Sequence, residues 1–348
     1  MDKLPNNKKP YLLIDSSYVS FHRFFSTLIW FTNVYPHIEI DDEYDWSLNE
    51  IFMKHFDDTY MKNLIKYKNM YNIPNENMII IRDCPRETIW RMNIYPEYKG
   101  TRKNTCTYKN KKYNIGNIFR HIYNVLYPKL EKIHNFKLLK VENAEADDII
   151  AIFANKIREM DKSRLVVIIS NDNDYLQLVN EKTLIWSLQN KLLNTKVEMT
   201  ADEILLKKIL KGDECDNIPS IVGNMSDIKI NELVKDNNKL VDWLNQNNKN
   251  NIFDNNRQLI DFKYIPELIK NNIIDQMIST IPEIKENIEV IDEAPVNNNI
   301  FLNFPKEFWK ETDEVKVKSV NGFHIVKNCK YKNTYLDQYH YVSENYYY

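Results

Sequence analysis

Nine acidic side chains sit at the ends of apolar runs, where carboxylates are poised for chemistry rather than for packing. Glu145, Asp147 and Asp148 fall within four residues, in Glu142-Asn143-Ala144-Glu145-Ala146-Asp147-Asp148-Ile149-Ile150, where they open an apolar run that reads as a helix. Asp172 and Asp174 follow Leu165-Val166-Val167-Ile168-Ile169-Ser170-Asn171, a buried-strand pattern. Asp15 ends Tyr11-Leu12-Leu13-Ile14, Asp83 ends Met78-Ile79-Ile80-Ile81-Arg82, and Asp213 and Asp216 form a further pair. Each acid alone reads as a cap or turn residue, because acids in a first helical turn complement the macrodipole. Their joint placement is the signal. In open α/β sheets, sites form just outside the carboxyl ends of the strands. Carboxylates gathered there would repel unless compensated, and no His cluster offers a zinc-like set. Oxygen-preferring magnesium, with manganese as a substitute, is the expected compensation. Two such ions about 4 Å apart can activate a water and stabilise the leaving oxygen in phosphodiester cleavage.

The elements that must position these acids alternate. Strands are expected at Tyr11 to Asp15, Met78 to Asp83, Phe136 to Val141 and Leu165 to Ser170, with a fifth at Thr183 to Leu188. Helical spacing runs from Leu48 to Tyr71 and from Ile118 to Ile133, and Asn33 to Ser47 reads as a loop. That alternation predicts an α/β fold with a doubly wound parallel sheet. From Thr200 onward strands become scarce, and Thr200-Ala201-Asp202-Glu203 is a capping signal for the next helix. The expected division is therefore a catalytic domain over 1–199, a smaller helical region over 200–300 and a Tyr-rich tail over 301–348 that packs on the core or docks a partner.

With 348 residues and 43% hydrophobic side chains, the chain can bury a sizeable core. Its first nine residues lack the apolar segment of a signal peptide, and no run of about 18 apolar residues suggests a membrane span. Cys84, Cys106, Cys215 and Cys329 are scattered without a Cys-x-x-Cys pair, which excludes a disulfide framework and a zinc knuckle as expectations. A soluble, intracellular protein in a reducing compartment fits. The net charge of −2 conceals a segregated distribution. No acid occurs between Glu97 and Glu131, whereas Lys99, Arg102, Lys103, Lys109, Lys111, Lys112, Arg120 and Lys129 do. The run is either a solvated basic face or a phosphate-contacting one. Thr101 to Asn117 has weak periodicity and is expected to be mobile.

These residues carry a resemblance to the flap endonuclease and 5′-nuclease family, closest to the ribonuclease H branch of T-even phages, over roughly residues 11 to 270. The strand-end Asp15, Asp83 with the following Tyr-Pro-Glu-Tyr-Lys-Gly-Thr-Arg, Glu-Ala-Asp-Asp, Ser-Asn-Asp-Asn-Asp-Tyr-Leu-Gln-Leu and Lys-Gly-Asp-Glu-Cys-Asp-Asn-Ile-Pro occur in the family's order. The resemblance implies a PIN-like core with a helical arch near 86–132. It also implies that Asp15, Asp83, Glu145 and Asp147 surround a first ion. Asp148, Asp172, Asp174, Asp213 and Asp216 would complete the site and hold a second, directly or through water. Lys99 and Arg102 would start an arch helix and contact the scissile phosphate, and Tyr98 would stack near the displaced base. Lys103, Lys109, Lys111 and Lys112 would add backbone contacts. The family's glycine-rich hairpin, which grips duplex backbone, is degenerate here: Ser220-Ile221-Val222-Gly223-Asn224-Met225-Ser226-Asp227 keeps only Gly223.

The implied activity is magnesium-dependent removal of RNA primers and 5′ flaps, acting as a monomer on branched DNA or an RNA–DNA duplex with a 5′ end. Two rivals stand beside it: a PIN-like single-strand ribonuclease, and a non-catalytic junction-binding protein that keeps the fold. A single-strand-binding protein or a clamp is open as a partner, although no clamp-binding box lies near Gln338.

Overall fold

A computed structural model describes residues 9–38, 44–101, 105–108, 111–196 and 199–281, with four short strand segments between 309 and 333. Compact packing divides the chain into Met1–Ile288 and Glu289–Tyr348. In the second unit, Glu314–Ser319 and Gly322–Lys327 pair antiparallel.

Five strands build the central sheet: β1 (Tyr11–Asp15), β2 (Met78–Arg82), β5 (Lys137–Lys140), β6 (Val166–Ile169) and β7 (Thr183–Trp186). Their order is β5-β2-β1-β6-β7, and every pairing is parallel. Parallel sheets need cover on both faces, which is why β1, β2 and β6 read as continuous apolar runs without alternation. Even-numbered Leu12, Ile14, Met78 and Ile80 pack with Phe24, Phe31, Phe52 and Tyr60 of α1 (Ser16–Val34) and α2 (Glu50–Met70). Leu13, Ile79, Ile81 and Ile168 pack on the opposite face against Ile149, Phe153 and Ile157 of α5 (Ala146–Met160) and Ile273 and Met277 of the helix Glu267–Thr280. From β1 the chain winds outward through β2 to β5, then crosses back to β6 on the other side. The switch point between β1 and β6 opens a crevice at the carboxyl edge.

A third core joins the segment after β2 to the helices beyond residue 200. Cys84, Ile89 and Tyr98 pack with Leu205, Ile209 and Leu210 of α6 (Ala201–Lys211) and with Ile230, Leu233 and Val234 of α7 (Asp227–Lys235). Gly212 ends α6 at φ +68°, and a Cβ there would fall 2.4 Å from the Ile218 carbonyl oxygen. Only glycine permits that turn, which swings Asp213 and Asp216 back toward the sheet.

The start expected for an arch helix at Lys99 takes another form. Residues 86–101 contain two short 3₁₀ turns, Arg86–Thr88 and Trp90–Asn93, and Lys99 lies at φ +54° in a turn rather than at a helix start. Beyond them β3 (Thr105–Tyr108) and β4 (Lys111–Asn114) pair antiparallel, with Tyr108 opposite Lys111. Its Thr, Lys and Asn residues leave no apolar run, so only its Thr and Tyr content hinted at strand. Helix resumes at Gly116 rather than Ile118: α3 (Gly116–His121), a π segment (Ile122–Leu126) and α4 (Tyr127–His134). Pro128 has no N–H to give a preceding turn and its ring crowds that turn, which accounts for the widening just before it.

Candidate metal centre

Five separate pieces of chain deliver carboxylates to the carboxyl edge. Asp15 ends β1 and caps α1, its Oδ1 accepting from the Tyr18 amide at 3.1 Å. Its Oδ2 accepts from Ser170 Oγ at 3.1 Å and from the Tyr175 hydroxyl at 3.2 Å. Asp83 follows β2 and accepts from Ser17 Oγ at 2.6 Å and from the Ala146 amide, the first of α5, at 2.8 Å. Glu145 caps α5, Asp147 sits in its first turn, Asp172 caps the 3₁₀ turn after β6, and Asp216 closes the turn after Gly212. Asp15, Asp83, Glu145, Asp147, Asp172 and Asp216 line one cleft of about 340 Å³ together with Lys99, Ser17, Tyr18, Phe21 and Tyr175.

The remaining three expected ligands lie elsewhere. Asp148 is fully buried beneath the cleft. It accepts from Trp90 Nε1 at 2.8 Å, Arg91 Nη1 at 2.9 Å and the Glu145 amide at 3.1 Å, while Arg91 Nη2 lies 2.8 Å from its other oxygen. A carboxylate held this way, three donors on one oxygen, orients its neighbours. Asp174 and Asp213 are both held by Lys208 outside the cleft lining. Glu145, Asp147 and Asp148 nonetheless offer oxygens that lie within 4.8 Å of one another.

Electrostatics separates these groups. Burial, then the neighbouring Asp83, pushes the Asp15 carboxyl up to about 7. Burial and Glu145 push Asp147 well above the ordinary range, and burial raises Asp172 against the opposing pull of Lys208. Glu145 goes the other way: burial alone would raise it, but Lys99 and Arg91 outweigh that and hold it below the usual range. Arg91 Nη1 donates to its Oε2 at 2.8 Å, and Lys99 Nζ contacts its Oε1.

Tyr98 does not have the place expected of a base-stacking residue. Its ring is 2% exposed, and its hydroxyl lies 3.0 Å from both Glu145 Oε2 and Asp216 Oδ2. It ties two carboxylates together from below. Lys99 does reach the cleft, with its amide donating to the Asp216 carbonyl at 2.9 Å and its Nζ 3.8 Å from Asp216 Oδ2. Arg102, Lys103 and Lys109 lie outside the described residues, as do the side chains of Lys111 and Lys112. Gly223 adopts φ +54° on an exposed turn, and a Cβ there would meet nothing within 4 Å.

Several participants escaped the sequence reading. Ser17, Ser170 and Tyr175 hold Asp15 and Asp83, and Arg91 supports Glu145 and Asp148. Arg91 Nε also donates to the Leu259 carbonyl at 2.7 Å, joining the cleft to the helical region. The available signal was an arginine among the apolar residues Ile89, Trp90 and Met92, since a buried guanidinium requires carboxylate partners.

The donor set fits a divalent cation. Every ligating group at the cleft is an oxygen, and Asp15, Asp147 and Asp172 are pushed up by burial with repulsion from neighbouring acids adding to it. That pattern is negative charge in excess of what Lys99 and Arg91 offset. Hard divalent cations supply the balance, and neither His nor Cys lines the cleft among the described residues.

Comparison with known proteins accords with the geometry. The chain is 29% identical over 162 residues to the 5′-3′ exonuclease of Buchnera aphidicola from Acyrthosiphon pisum, covering 45% of this chain and 50% of that protein. It is 25% identical over 237 residues to the ribonuclease H of Enterobacteria phage T4, covering 61% of this chain and 74% of that one. It spans about half the length of the curated 5′-3′ exonucleases that it matches. Its fold matches that of phage T5 flap endonuclease in a pseudo-enzyme–product complex with DNA and metal ions, at TM-score 0.52 and 15% identity over 82% of this chain and 100% of that one. No helix among the described residues is long and apolar enough to cross a membrane. Residues 10–208 match the family model described as 5′-3′ exonuclease, N-terminal resolvase-like domain, and the chain therefore belongs to the 5′-3′ exonuclease family.

Proposed function

We propose that this chain is a magnesium-dependent, structure-specific 5′-nuclease that removes RNA primers and 5′ flaps from branched DNA or RNA–DNA duplexes. The observation that carries this reading is the convergence of six carboxylates and Lys99 on one cleft at the carboxyl edge of the sheet. Asp15, Asp83, Glu145, Asp147, Asp172 and Asp216 would hold two Mg²⁺, with Mn²⁺ as substitute. When bound, such ions lower the pKa of a water and stabilise the leaving oxygen of a phosphodiester. The chain's own residues do the rest. Arg91 and Tyr98 fix the Glu145 carboxylate, Ser17 and the Ala146 amide fix Asp83, and Ser170 and Tyr175 fix Asp15. Lys99 moves its ammonium from Glu145 to the scissile phosphate, where charge grows in the transition state. Arg102, Lys103, Lys109, Lys111, Lys112 and Gly223 contribute backbone contacts. The smaller helical region from residue 200 grips the duplex, and the tail from residue 301 serves a single-strand-binding protein or clamp.

The test is a labelled 5′-flap duplex and an RNA-primed duplex, each incubated with and without Mg²⁺. Release of 5′ fragments only with the metal supports the reading. Cleavage of unpaired RNA alone would favour a single-strand ribonuclease. Binding without cleavage at saturating Mg²⁺ or Mn²⁺ would leave a junction-binding protein.

A further inference from the structure

Arg91 and Lys99 both serve the α5 end of the cleft, and a third cation serves the other end without any role in the reaction proposed above. Lys208 lies in the last turn of α6, one turn before Gly212 swings the chain back to Asp213. Its Nζ contacts Asp174 Oδ1 and lies 2.9 Å from Asp213 Oδ2, and its side chain is only 19% exposed. One ammonium thus bridges two carboxylates from different chain segments, neither of which lines the cleft.

The three cations sort the nine acids. Arg91 takes Asp148 and shares Glu145 with Lys99, Lys99 also approaches Asp216, and Lys208 takes Asp174 and Asp213. Among the described residues, no such pairing reaches Asp15, Asp83 or Asp172, and Asp147 has only Arg91 at 4.0 Å. Preorganisation follows the same division. Glu145, Asp147 and Asp148 bring oxygens within 4.8 Å of one another, whereas among the described residues Asp172, Asp174 and Asp213 form no such group.

We propose that Lys208 is a positioning residue, a resident counter-cation that sets the affinity of the second divalent ion at the Asp172 end. This deepens the two-ion reading above and rests on it. An ion drawn to Asp172 lies near that ammonium and can draw on Asp174 and Asp213, through water, only in competition with it, so both repulsion and the lost ion pairs weaken its hold. The first ion, at the α5 end, has no contact with Lys208. Magnesium readily takes substrate phosphate oxygens as ligands. A phosphodiester in the cleft then supplies what Lys208 withholds, so the second ion is recruited with the substrate rather than stored in the free protein.

The test counts bound Mn²⁺ on the full chain, without nucleic acid, by electron paramagnetic resonance and calorimetric titration. Wild type should show one strong and one weak binding step. Lys208→Met, and equally Lys208→Gln, should tighten the weak step on the order of tenfold while leaving the strong one unchanged. Lys208→Arg should behave as wild type, and Asp174→Asn added to Lys208→Met should remove the gain. Thermal melts confine the comparison to folded variants, and the two neutral substitutions report the same charge independently. A weak step that is unchanged or weaker in both neutral variants, with the strong step intact, overturns the role of Lys208 alone. Absence of any strong step in wild type overturns the divalent centre itself.

Discussion

The two ends of the acid cleft are built by different means. At the α5 end, Glu145 and Asp147 ride on a helix whose first turn is fixed by the Asp148 capping bond and by a guanidinium buried below it. At the far end, Asp172, Asp174, Asp213 and Asp216 hang on short 3₁₀ turns, with an ammonium lying across two of them. The first arrangement fixes geometry before an ion arrives, and the second leaves affinity adjustable. A buried guanidinium cannot be withdrawn without leaving charges unpaired, at a cost of about 3–5 kcal/mol. A partly exposed lysine can swing away.

The sharpest break of that comparison comes from the acids that have no close lysine. Asp147→Asn should abolish cleavage and leave the fold intact, a loss beyond the roughly 10²–10³-fold that removal of one preorganised donor costs. The substitution keeps volume and removes a charge already opposed by burial and Glu145, so the metal-free variant should melt no lower than wild type. Undiminished turnover at saturating Mg²⁺ would remove Asp147 from the centre.

Next in size is Lys99→Ala, expected to lower the single-turnover rate about 10²-fold with little change in substrate affinity, because the contact strengthens in the transition state. Recovery of the full rate with excess enzyme would make Lys99 a binding contact instead.

The far end should be less sensitive, and unevenly so. Asp172→Asn removes a cleft ligand, whereas Asp174→Asn removes a carboxylate already paired with Lys208. Single-turnover rates should fall far more in the first than in the second, for which a loss below about tenfold is expected. Equal losses would erase the distinction between the two acids.

How much of this was legible depended on which residues carried a period. β1, β2 and β6 announced themselves because burial on both faces demands unbroken apolar runs, and strand-end Asp15 and Asp83 followed directly, whereas edge strand β5 begins and ends in a lysine. The β3–β4 hairpin gave no such sign, since its Thr, Lys and Asn residues leave it without an apolar run. Within the site, carboxylate positions could be read from motif order, but their partners could not. That Asp148 turns inward to Arg91 while Asp147 faces the cleft depends on the rotation of α5 about its axis, which is set by Ile149, Phe153 and Ile157 against the sheet. Tyr98 stood beside Lys99 in the sequence, yet packing with Leu205 and Ile209 buries it.

The smallest expected effect tests the charge excess that both ends share. Asp15 is raised to about 7 in the folded, metal-free protein against 3.8 for an ordinary Asp, and Asp147 and Asp172 shift in the same direction. Between those values the folded state binds more protons than the unfolded chain, so stability present at low pH is lost as pH rises through about 7. Glu145, shifted downward, contributes the opposite slope, but only below the ordinary glutamate range and outside this window. In EDTA the melting temperature should therefore fall from pH 5.5 to pH 8.5 by several degrees, given that about 1 kcal/mol moves a domain of this size by roughly 2–4 °C. Mg²⁺ should restore most of the loss at pH 8.5 and little at pH 5.5, where it must compete with protons. Asp15→Asn should flatten the profile in EDTA. A melting temperature that is level across this range without metal, or a Mg²⁺ gain that does not grow with pH, would mean that the acids at the carboxyl edge are already balanced within the protein.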